Sequence, residues 1–225
     1  MAISTKDVST LRERTGAGMM DCKKALDESN GDIERAVEIL REKGKAASAK
    51  KAGRIASQGI VDSYIHLEGR MGVLVEVNCE TDFVAKGAEF KAFVHDIALQ
   101  IVAAKPQYVS IEDVPADVVA SEEAIFRALA QNEPNPKPQA IIEKVLIGRM
   151  NNFYKEICLL EQPYVKDTTK TVKTLLSEIV AKTGEKIVIR RFVRYEMGEG
   201  LAKKVDNFAE EINAQVAKMH KSQVN

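Results

Sequence analysis

The hydrophobic rhythm of this chain changes from a helical to a strand period near residue 58. Before that point, over residues 1–43, apolar positions recur every three to four residues and predict three short helices. Ser4 is placed to cap the first, with Asp7 three residues on as a capping-box variant, and Val8 and Leu11 supply its stripe. Thr15-Gly16-Ala17-Gly18 breaks that helix. A second begins near Met19 and stops at Asn30-Gly31. Asp32 caps a third, with Ile33, Ala36, Val37 and Leu40 on one face and Gly44 as its end. Residues 1–44 therefore read as a compact three-helix binding module.

Residues 45–57 are rich in Lys, Ala, Ser and Gly, have no apolar stripe, and read as a basic linker, helical in part at most. Its charges suit either a solvated tether or an RNA-contacting patch. From residue 58 the period is two. Runs at 60–67 and 71–78, parted by Glu68-Gly69-Arg70, predict a hairpin. Phe90, Phe93, Val94, Ile97, Ala98, Ile101 and Val102 predict a helix from about 88 to 104, stopped by Pro106. Residues 116–155 read as a helical hairpin, because three prolines within 132–138 forbid helix there. An irregular or edge segment at 159–165 follows. Next come a helix bearing Val172, Leu175, Leu176, Ile179 and Val180, and a strand at 187–195 with Arg190 and Arg194 on its wetter face. Gly198-Glu199-Gly200 turns the chain into a last helix over 201–225. The class is α+β: a helical module, a linker, and a core at 58–200 with a small antiparallel sheet. Strands this few, not alternating with helices, exclude a doubly wound parallel fold.

Composition narrows the function. Of 225 residues, Lys+Arg and Asp+Glu each number 33, so the formal net charge is zero, which argues against a protein devoted to coating nucleic acid. Cys22, Cys79 and Cys158 are odd in number and form no CxxC pair, so neither zinc site nor disulfide framework is expected and a reducing, cytoplasmic setting fits. The N-terminus lacks a secretory signal and no apolar run is long enough for a membrane span. The 15–21 segment has two glycines but no phosphate-loop spacing, and GxSxG and HExxH are absent. Cys79, ending a strand with His66 on the neighbouring one, is either half of a thiol pair or a small apolar residue closing the strand. No enzyme active site and no cofactor are expected.

Two places put apolar side chains where folding alone does not ask for them. With Met19, Cys22, Ala25 and Leu26 on one face of the second helix, Met20 falls among Lys23, Lys24 and Asp27. It is either an adaptable contact surface or a lone surface methionine. Thr81 is placed to cap a short helix with Asp82 and Phe83 in its first turn and Val84 next. Phe83 then either anchors a partner or folds back on the sheet.

Leu11-Arg12-Glu13-Arg14-Thr15-Gly16-Ala17-Gly18-Met19-Met20-Asp21-Cys22-Lys23-Lys24-Ala25-Leu26, followed by Asn30-Gly31-Asp32, resembles the N-terminal signature of the elongation factor Ts family. Glu76-Val77-Asn78-Cys79-Glu80-Thr81-Asp82-Phe83-Val84-Ala85 resembles its second signature. Gly148-Arg149-Met150, Gln162-Pro163 and Phe192-Val193-Arg194-Tyr195-Glu196-Met197-Gly198-Glu199-Gly200 resemble its later part, so the likeness spans nearly the whole chain. The resemblance implies a guanine-nucleotide exchange factor for elongation factor Tu. It implies a ubiquitin-associated-like module over residues 1 to about 54, contacting the partner through Arg12, Met19 and Met20. Thr81, Asp82, Phe83 and Val84 would dislodge the partner's magnesium. Longer family members carry two copies of the core subdomain, whereas here the 60–78 hairpin occurs once. Similar short members pair symmetrically, so a homodimer is expected, with no membrane and no direct nucleic acid. The competing reading is an RNA- or ribosome-binding adaptor using Lys43, Lys45, Lys50, Lys51 and Arg54.

Overall fold

A computed structural model describes residues 3–132 and 138–202. Helices α1 (Thr5–Thr15), α2 (Met19–Glu28) and α3 (Ile33–Lys51) form the N-terminal module. Ser4 and Asp7 make the reciprocal capping box, and Asp32 accepts from the Arg35 amide at 3.1 Å. Val8, Leu11, Cys22, Ala25, Leu26, Ala36 and Ile39 close a small core of their own. Helix α3 does not stop at Gly44, as the sequence reading expects, but continues to Lys51. Gly44 is buried against Ala181 and Ser177 of a later helix, so tertiary packing overrides the cost of about 1 kcal/mol that glycine carries in a helix. Half of the expected linker is therefore a docked helix.

The sheet begins with β1 (Gln58–His66) and β2 (Met71–Cys79), antiparallel in register from Gln58 opposite Cys79 to His66 opposite Met71. A short helix α4 (Asp82–Lys86) leaves the end of β2, and α5 (Ala88–Ala104) packs along the sheet. Val73, Val75 and Val77 of β2 meet Phe90, Phe93, Val94, Ile97 and Ile101 of α5 in the main core. Helices α6 (Ala116–Gln131) and α7 (Gln139–Ile157) form the expected hairpin, crossed by an Arg127–Glu143 ion pair. The connector expected at 132–138 falls mostly on 133–137, outside the described residues.

Beyond α7, β3 (Pro163–Tyr164) pairs with β4 (Asp167–Thr171), and α8 (Val172–Thr183) leads to β5 (Val188–Glu196). Gln162 locks this region to α5 by accepting from Gln100 at 3.2 Å. Strand β5 lies on the free side of β2, giving the order β1-β2-β5. Arg190 and Arg191 both reach Glu76 at 2.7 Å. Arg190 and Arg191 are adjacent and both exposed, so their long side chains reach the same carboxylate. Arg190 is exposed, as expected, but Arg194, also expected on the wetter face, is half-buried, and Arg191 is exposed instead.

One face of the sheet carries Val73, Val75 and Val77 into the core; the other leaves Val61, Ile65, Leu74, Val193 and Tyr195 exposed. An open antiparallel sheet usually turns polar residues to water, so this apolar outer face is unusual. The described residues up to Tyr195 form one compact unit. By itself, the segment that follows begins with a tight turn in which Gly198 and Gly200 have φ of 77° and 76°. The helix expected over 201–225 lies, from 203 on, outside the described residues.

Candidate partner-binding site

The candidate site is built where β2 runs out. Thr81 is extended (φ −126°, ψ 155°), and its Oγ1 accepts from the Val84 amide, which starts α4. Glu185, on the segment entering β5, takes three bonds from the same corner. Its Oε2 accepts from the Glu80 and Thr81 amides at 3.1 and 3.0 Å, and its Oε1 accepts from the Thr81 hydroxyl at 2.6 Å. Ala85 is buried and Val84 leans on the main core, so one side of this single turn is anchored.

Phe83 occupies the other side and is 84% exposed. It does not fold back on the sheet, whose interior is filled by Phe90 and Phe93. Burying such a ring is worth about 1.5–3 kcal/mol, and that stabilisation is withheld from the fold. Asp82 beside it bonds Lys86 at 2.7 Å, and this bond holds its carboxyl below the usual range. An open apolar shelf runs alongside, lined by Phe83, Val84, Gly87, Ala88, Phe90 and Lys182.

On the helical module, Met20 is 64% exposed, as expected, but Met19 is exposed too, at 49%. Met19 opens α2, and a helical side chain tilts toward its own N-terminus, so it overshoots the core that Cys22, Ala25 and Leu26 fill. Arg12 is exposed in the last turn of α1. Lys182 joins the two regions: it touches Gly16, in the turn before Met19, and borders the Phe83 shelf. Neither Lys182 nor Glu185 is marked in the sequence by any motif. The exposed sheet face was legible in principle, since Val61 and Ile65 make the run at 60–67 apolar on both faces.

The thiol couple fails on geometry. Cys79 and His66 lie at opposite ends of the β1–β2 ladder, about 26 Å apart at ~3.3 Å per residue. Cys79 is buried, its thiol pushed up by that burial and donating to the Thr81 carbonyl at 3.1 Å. Among the described residues no His, Cys, Asp or Glu cluster could hold a metal, and no helix is long and apolar enough to cross a membrane.

The sequence matches the family model described as Elongation factor TS over residues 4–199. The chain belongs to the elongation factor Ts family. It is 62% identical over 214 residues to the Elongation factor Ts of Desulforamulus reducens, covering 95% of this chain and 98% of the relative. Against the Elongation factor Ts of Carboxydothermus hydrogenoformans the identity is 62% over 212 residues, 94% and 97% of the two chains. Against that of Geobacter metallireducens it is 59% over 214 residues, 95% and 98%. As a member of the elongation factor Ts family the chain is a nucleotide-exchange factor in translation elongation, and the RNA-adaptor reading is not favoured.

Proposed function

We propose that the chain docks on the GDP-bound form of elongation factor Tu and uses the Thr81–Val84 turn to displace the magnesium that holds the nucleotide. The observation that carries this is Phe83, 84% exposed at the tip of a capped and anchored helical turn. Mg²⁺ demands near-ideal octahedral geometry, so a small shift of its ligands weakens it sharply. A ring entering between elements of the partner supplies that shift, while Asp82 competes for nearby polar groups. Accelerating release a thousandfold through weaker binding takes about 4 kcal/mol. One buried aromatic anchor contributes about 2–4 kcal/mol of this. Arg12, Met19 and Met20 give the second contact, on the partner's GTPase domain. Coupling is reciprocal, so incoming nucleotide loosens the factor in turn and the complex dissolves when GTP binds.

The test is stopped-flow release of a fluorescent GDP from elongation factor Tu. Wild type should accelerate release, and Phe83→Ala should lose most of the acceleration while staying folded. An undiminished rate with Phe83→Ala removes the wedge. Two further proposals accompany this one. The chain acts in the cytoplasm, which its three free thiols favour. It also pairs with a second copy, which the exposed apolar sheet face and the single-copy core favour.

A further inference from the structure

The corner that carries Phe83 is closed from a distant part of the chain. The amides of Glu80 and Thr81 lie between the end of the β2 ladder and the first helical turn of α4, so neither structure supplies them an acceptor. Glu185 supplies it, across 104 and 105 residues of sequence. Its other oxygen takes the hydroxyl hydrogen of Thr81. With that hydrogen committed, a lone pair of Oγ1 is left toward the Val84 amide at 3.4 Å. The exchange is mutual: Glu80 accepts from the Lys186 amide at 2.6 Å and from Arg54 at 3.3 Å. Lys186 in turn donates its ammonium to the carbonyls of Ala52 and Arg54, at 2.6 and 2.8 Å, just past the end of α3. Three chain segments thus meet behind one exposed ring.

We infer that Glu185 is a positioning residue for Phe83: it fixes the direction in which the first turn of α4 leaves the sheet. The carboxylate is only half-buried, so its loss opens these amides to water rather than stranding them in the core. The fold survives, and the ring loses its aim. The rate arm of the test rests on the exchange reading above; the amide arm does not.

Glu185→Ala, Glu185→Gln, Phe83→Ala and the double variant Glu185→Ala/Phe83→Ala are compared in GDP release from elongation factor Tu. Glu185→Ala should lower the maximal stimulated rate about tenfold and leave the half-saturating concentration within about twofold of wild type. Glu185→Gln keeps an acceptor oxygen for the two amides and should recover most of the rate. In the Phe83→Ala background, Glu185→Ala should add less than about twofold, since a residue acting through the ring has nothing left to aim. In the free protein, hydrogen exchange of the Val84 and Ala85 amides should quicken in Glu185→Ala by more than that of the α5 core amides, which report any loss of global stability. A wild-type maximal rate in Glu185→Ala, a full multiplicative loss in the double variant, or unchanged amide exchange each overturns the inference. Should wild type fail to release GDP at all, the exchange reading falls, and amide exchange alone decides the role of Glu185.

Discussion

The Lys182 side chain lies across Gly16: a β-carbon built on Gly16 would stand 2.0 Å from Lys182 Cε and 2.3 Å from its Nζ. Gly16 also sits at φ 65°, the left-handed turn that ends α1. The lead-in to Met19 and Met20 is thus fitted beneath a lysine that borders Phe83 on its other side. Gly16→Ala should destabilise the chain by about 1–2 kcal/mol from the backbone alone. Lys182→Ala in the same chain should relieve only the steric part, because the clash is with a flexible chain end. Urea midpoints of the two single variants and the double variant check this; a Gly16→Ala midpoint equal to wild type would sink it.

Phe83 and Phe90 stand seven residues apart and should behave as opposites. Phe90 is 1% exposed against β2, so Phe90→Ala opens a cavity and should cost about 3–5 kcal/mol of stability. Phe83→Ala removes a ring that touches mainly water and should stay within about 0.5 kcal/mol of wild type. Parallel denaturation curves read both. If Phe83→Ala proved as damaging as Phe90→Ala, the ring would be structural and its exposure a poor guide to function.

Acid should weaken the fold through two paired carboxyls, one of them at the corner behind Phe83. The amide of Lys186 chiefly, and then Arg54, hold the Glu80 carboxyl below its ordinary value of 4.5. The Arg190 and Arg191 guanidiniums do the same for Glu76. A carboxyl whose folded pKa is depressed lends stability above its unfolded value and loses it as pH falls through the lower folded value. Melting temperature should therefore be flat above about pH 5 and fall below about pH 4.5. Glu80→Gln should flatten part of that fall while lowering the plateau. A wild-type slope in Glu80→Gln would show that Glu80 has no part in it.

How much of this was visible in the sequence depended on whether a contact was local. The Ser4–Asp7 box, the Asp32 cap and the Thr81 cap each join residues three apart, and each was legible from residue type and spacing. Strand β4 was missed because Asp167-Thr168-Thr169-Lys170-Thr171 offers no apolar alternation; it is a strand only because β3 lies beside it. The run of α3 past Gly44 depends on Ala181 and Ser177, more than 130 residues away. Glu185 is silent for the same reason: its partners lie across the fold. The Phe83 tip was legible because an aromatic one residue after a capped Asp stands out locally, whereas the frame that aims it is wholly long-range.

The outer sheet face yields the last prediction. Val61 and Ile65 on β1, Leu74 on β2, and Val193 and Tyr195 on β5 are all exposed, Tyr195 at 71%. A β-carbon built on Gly72 would stand 3.2 Å from Ile65 Cδ1, so the glycine leaves room for that side chain. Two such faces can stack as aligned sheets about 10 Å apart, and a two-fold axis through the stack makes each residue meet its own copy or a symmetry mate. The chain should therefore sediment with the mass of two copies at micromolar concentration. Ile65→Glu together with Leu74→Glu places like charges on both sides of the stack and should yield single chains of unchanged circular dichroism, since neither side chain contributes to the buried core. A wild-type chain that sediments as one copy, or a double variant that still sediments as two, would remove this face as the contact.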